Sequence, residues 1–147
     1  MTLRRRDFPT LLPRNRRADE AYASATIGKE DAMATACLFI GWDRPIPGKD
    51  GEAYGYLMRD VTEQFQMLQK QGWFESFDFV GLTPHGGDLN GFILLRGERA
   101  KLDELRRTDE FEAFAFQLMT MFDRVGVVPG LSWEGIQKVM ARRRAQR

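Results

Sequence analysis

The chain contains one histidine, His85, and one cysteine, Cys37. An imidazole titrates near neutrality, so His85 is the first candidate for a general base. It stands in Pro84-His85-Gly86-Gly87-Asp88, where Asp88 is a nearby carboxylate; a second, Asp43, follows Trp42 in Trp42-Asp43-Arg44-Pro45. A catalytic reading gives His85 the proton transfer and Asp43 and Asp88 its orientation. The competing reading is a turn histidine bonded to backbone beside two glycines. His85, Asp43 and Asp88 could also be written as a metal set, but one histidine without ligand spacing is weak support, and no metal is expected. Gly86-Gly87 allows left-handed backbone and exposed N–H groups. It reads as a tight hairpin and carries neither a dinucleotide nor a P-loop fingerprint. Cys37 lies inside an apolar run and reads as core filler. A lone cysteine excludes an intrachain disulfide framework and any multi-cysteine zinc or iron–sulfur site.

The elements that must position these groups follow from hydrophobic period. Thr35–Trp42 is an apolar run closed by Asp43-Arg44-Pro45, a buried strand, β1. From about 50 to 71, Tyr54, Leu57, Met58, Val61, Phe65 and Leu68 recur at helical spacing, with Gly72 as a C-cap. Phe74–Thr83 and Asn90–Arg96 read as strands β2 and β3, joined by a hairpin. Residues 98 to about 122 are helical, with Leu102, Leu105, Phe111, Phe114, Ala115, Leu118, Met119 and Phe122 inward and a break expected near Thr108. Val125–Val128 is a short strand, β4, stopped by Pro129-Gly130. Ser132 can cap a last helix that carries Trp133, Ile136 and Met140 on one face.

The order β-α-β-β-α-β plus a terminal helix defines an α+β, ferredoxin-like fold. Right-handed crossovers then give an antiparallel sheet in the order 4-1-3-2, with the helices on one face. That topology gathers the end of β1 (Trp42, Asp43, Arg44), the hairpin (His85, Asp88, Asn90) and the start of β4 (Asp123, Arg124) at one rim. Trp42, Arg44, Asn90 and Arg124 are therefore candidates for ligand contacts, and Arg96 falls at the opposite rim.

Helices can cover only one face, yet the other does not turn polar. Cys37 and Phe39 alternate with Leu38, Ile40 and Trp42, and Phe92 and Leu94 alternate with Ile93 and Leu95. In β2, Phe77 and Phe79 alternate with Asp78, Val80 and Leu82, so Asp78 is the polar exception on the second face. An apolar second face is a liability in a monomer. A homodimer with sheets packed face to face is the expected solution; cover by an N-terminal arm or the last helix is the alternative.

A length of 147 residues fits one core domain. The formal net charge is +1, but it is unevenly placed: residues 1–17 carry six arginines and one acid, residues 138–147 carry five bases and no acid, and the stretch between is net −9. Two basic tails thus flank an acidic body. Solvated ends are the plain reading. The near-neutral total and the lack of interleaved aromatics disfavour nucleic acid. Three segments are expected: a basic extension over 1–32, irregular or partner-bound; the α/β domain over 33–131; and a helix with a basic tail over 132–147. The extension reads as an upstream start before Met33 or as an arm for a larger assembly. No apolar run approaches a membrane span of about 20 residues, and the arginine-rich start lacks a secretory apolar region. A cytoplasmic location is expected.

The segments Phe39-Ile40-Gly41-Trp42-Asp43-Arg44-Pro45-Ile46-Pro47-Gly48 and Leu82-Thr83-Pro84-His85-Gly86-Gly87-Asp88-Leu89-Asn90-Gly91-Phe92-Ile93-Leu94-Leu95-Arg96-Gly97 resemble those of a family of small uncharacterised bacterial proteins. That family is similar to the dimeric α/β-barrel superfamily of EthD-like, YCII-like and antibiotic-biosynthesis-monooxygenase-like domains. The resemblance spans about 35–140 and implies a ferredoxin-like dimer with a cleft between sheet and helices. The superfamily's active residues do not map onto this chain by motif, so function by fold is analogy. Two functional expectations follow. One is a dimeric binding or accessory protein engaging a small apolar ligand or a larger assembly. The other is a cofactor-independent oxygenase- or isomerase-like enzyme on an aromatic or polyketide-like substrate, with His85 as general base.

Overall fold

The computed structural model describes Thr2, Leu3 and residues 34–147. The apolar runs form an antiparallel sheet from β1 (Ala36–Trp42), β2 (Ser76–Gly81), β3 (Gly91–Gly97) and β4 (Gly126–Leu131). Their spatial order is 4-1-3-2, as the crossover rule requires. Thr2 and Leu3 add an edge strand antiparallel to β2, opposite Val80 and Phe79, making five strands. The rest of the expected extension lies outside the described residues. β4 differs from expectation, because it runs through Pro129 instead of stopping there. It is an edge strand, bonded on one side to β1, so a proline without an N–H is tolerated.

The first helix, α1, spans Asp50–Gly55, a π-helical stretch Tyr56–Val61, and Thr62–Lys70. The expected stripe was too wide: Tyr54 and Met58 are exposed, and Ala53, Leu57, Val61 and Phe65 face the core. Four-residue steps drift about 40° each around a 3.6-residue helix. The wider π turn takes up that drift and holds the four side chains on one line. Thr62 Oγ1 donates to the Leu57 carbonyl at 2.9 Å, inside this turn.

The second helical region breaks where Thr108 was expected to break it. α2 covers Arg99–Arg106 and α3 covers Asp109–Met119. Thr108 Oγ1 accepts the Phe111 N–H at 3.3 Å and so satisfies an orphan donor of α3. Met119, expected inward, is exposed. α1, α2 and α3 cover the sheet face that presents Leu38, Ile40, Ile93 and Leu95. Phe65 is the hub of this core, with edge or tilted ring contacts to Phe74, Phe77, Phe79 and Phe114.

The opposite face carries Cys37, Phe39, Val80, Phe92 and Leu94, each half-buried, and the exposed Val128. Phe39 and Phe92 make a tilted ring contact there, with centroids 5.1 Å apart. The last helix, α4 (Trp133–Ala145), is capped by Ser132, whose Oγ accepts the Gly135 N–H at 3.1 Å and donates to the Ala34 carbonyl at 3.0 Å.

Candidate functional site

The polar rim is built by three crossings of the chain. Where β1 ends, the Asp43 N–H donates to the Asp123 carbonyl at 2.9 Å, and the Asp123 N–H returns to the Arg44 carbonyl at 3.0 Å. Where β3 begins, the Asn90 N–H donates to the Trp42 carbonyl at 2.9 Å. These bonds fix three backbones side by side, so their side chains meet with little freedom. Asn90 Nδ2 donates to Asp43 Oδ1 at 2.5 Å, a charge-assisted bond between residues 47 positions apart. Asp43 is 5% exposed, so this amide is a principal substitute for its lost water. Asp88 forms an ion pair with Arg124, and both side chains are largely in solvent. Arg124 has φ of 51°, a left-handed conformation that favours glycine. The reversal before β4 requires that conformation of its backbone.

His85 does not join either carboxylate. Its Nε2 lies 2.7 Å from the Leu89 carbonyl, and the Gly87 N–H donates to Nδ1 at 3.2 Å. The pair of contacts assigns the neutral tautomer with the proton on Nε2. Both ring nitrogens are thus engaged by the turn's own backbone, and the residue is exposed. Gly86, at φ of 78°, supplies the left-handed step that folds the turn around the ring. Trp42 is buried, in tilted ring contact with Phe122 at 5.5 Å and lying against Gly91, where a Cβ would come within 2.7 Å of its ring. It belongs to the core, and Arg44 is exposed beside it. The structure therefore brings together Asp43 with Asn90 and Asp88 with Arg124, and leaves His85 in its own turn.

At the far end of β1 a cavity of about 240 Å³ opens between the sheet and α2. Ala36, Leu38, Leu102 and Leu131 give it an apolar wall, and Arg99 and Asp103 stand along α2. No motif marks these residues. Arg99 and Asp103 share a helix face at four-residue spacing, which sequence alone reads as a solvated pair. Cys37 lines the same cavity, and burial pushes its thiol pKa up; Arg96 opposes that shift and Glu134 adds to it. Burial, with Asp60 nearby, likewise raises the Tyr56 hydroxyl in the π turn. Among the described residues no three histidine, cysteine, aspartate or glutamate side chains cluster as a metal site would need. No described helix is long and apolar enough to cross a membrane.

A split β-α-β sheet in the order 4-1-3-2, backed by helices on one face, defines the ferredoxin-like fold. The chain is similar to a crystal structure of a dimeric protein of unknown function and ferredoxin-like fold from Bacteroides fragilis NCTC 9343. The two are 10% identical; the match covers 69% of this chain and 99% of that one, with a TM-score of 0.52. In sequence, the chain matches no protein-family model and no curated protein.

Proposed function

We propose that the chain acts as a homodimeric binding or accessory protein and that it takes a small apolar ligand between sheet and helix. The observation that carries the reading is the second sheet face. Phe39, Val80, Phe92 and Leu94 form a contiguous apolar surface that no described helix covers, and Val128 at its margin is 54% exposed. Burying apolar surface stabilises association by about 25 cal/mol per Å² before the costs of docking. A second copy offers the same surface, which is the self-complementarity that a two-fold interface needs. The similar ferredoxin-like structure is described as dimeric, which supports the same assembly.

The cavity beside α2 supports the ligand half of the proposal. Its volume of about 240 Å³ is below the usual range for drug-sized ligands, so it suits a compact apolar molecule of roughly one ring. The catalytic alternative gains no support from His85, because a base needs a free nitrogen aimed at substrate. Light scattering at about ten micromolar should report twice the 16.9 kDa chain mass. Val128→Asp, an exposed change on the edge strand, should return the mass to that of one chain. A 16.9 kDa particle from the unaltered protein removes the dimer from the reading. Native mass spectrometry of protein purified from its host tests the ligand; a bare chain mass in every preparation removes the ligand.

A further inference from the structure

The last helix is out of keeping with the rest of the surface. α4 shows Trp133 at 67% exposure, Ile136 at 41%, Val139 at 40% and Met140 at 46%. Helices of about 13 residues are marginal in water by themselves and take their stability from packing an apolar stripe. The ties of α4 to the sheet come from its first turn. The Ser132 N–H donates to the Thr35 carbonyl at 3.0 Å. Gly135 approaches the same carbonyl so closely that a Cβ would lie 2.0 Å from the oxygen. The rest of the stripe is presented to solvent.

We infer that α4 is an association arm that docks on the second copy of this chain. The inference rests on the dimer proposed above and adds a second element to its interface. Two observations favour a second copy as the occupant. First, the stripe begins beside the open sheet face, because β4, which carries exposed Val128 on that face opposite Phe39, runs through the Ser132 cap into Trp133. Second, the charges are complementary: residues 138–147 carry five bases and no acid, and residues 18–137 of the other copy are net −9. Such an arm closes the side of the seam that two packed sheets leave open and buries tryptophan, a residue enriched at interface centres.

The test compares the dimer dissociation constant of the full chain with those of Trp133→Asp and Ile136→Asp, by sedimentation across a concentration series. Both positions are exposed in the single chain, so folding, checked by circular dichroism, should be unchanged. Each substitution should weaken association at least tenfold. Acrylamide should quench the tryptophan fluorescence of the unaltered dimer less than that of dissociated Val128→Asp, because the arm shields Trp133. If the arm variants associate as tightly as the unaltered chain while Val128→Asp dissociates, the arm is overturned and the sheet-to-sheet dimer stands. If the unaltered chain never dimerises, both fall together.

Discussion

Asn90→Ala isolates the bond that ties the hairpin loop to the end of β1. It removes the Nδ2 donor that lies 2.5 Å from Asp43 Oδ1 and leaves the Asn90 N–H bond to Trp42 in place. Asp43 is 5% exposed, so water cannot replace the amide without opening the rim. Hydrogen bonds to charged groups contribute about 1.5–3 kcal/mol, and a buried charge left alone sits at the upper end. The expected loss is about 2 kcal/mol, or a fall of roughly 6–8 °C in Tm for a chain of this size. Asp43→Ala and the double variant complete a thermodynamic cycle. Urea unfolding of all four proteins at one fixed concentration keeps dimer mass action constant. The pair should show a coupling of about 2 kcal/mol, because removing both groups leaves nothing unsatisfied. A coupling below about 0.5 kcal/mol would mean that Asp43 finds other partners and that the rim is not held by this bond.

Phe65 is fully buried at the hub of the aromatic core, so Phe65→Ala should cost about 3–5 kcal/mol in urea unfolding, more than any exposed aromatic such as Phe116. Cys37 has its thiol pKa raised above the ordinary 9.0, chiefly by burial. Iodoacetamide should therefore label it more slowly at pH 7.5 than it labels a free thiol, by mass spectrometry, with the rate climbing only above pH 9. The same raised pKa keeps the neutral thiol at no cost below the unfolded value. Stability is then lost as pH rises from about 9 through the folded pKa, which urea midpoints at pH 8 and pH 10 will show as a drop that is smaller in Cys37→Ala, where only the raised Tyr56 hydroxyl still contributes.

Much of the fold was legible before any coordinate. Period-two and period-3.6 patterns report which side chains must leave water, and that suffices to order β1, α1, β2, β3, the broken second helical region and β4. Thr108 and Ser132 announce their caps because a side-chain oxygen acts on its own next turn. The strand order, and with it the end of the sheet where Asp43 and Asn90 meet, follows from handedness alone. Other features were invisible because they depend on what lies across space. The outward turn of Tyr54 and Met58 is settled by the π turn in α1, which no propensity encodes. The passage of β4 through Pro129 is allowed only because the strand is at the edge. His85 could bond its own turn or a carboxylate with the same residues in the sequence, and the backbone path through Gly86 chose the turn. Residue type states what a group can do; distances and shielding, set by tertiary packing, decide which of its possible partners it meets.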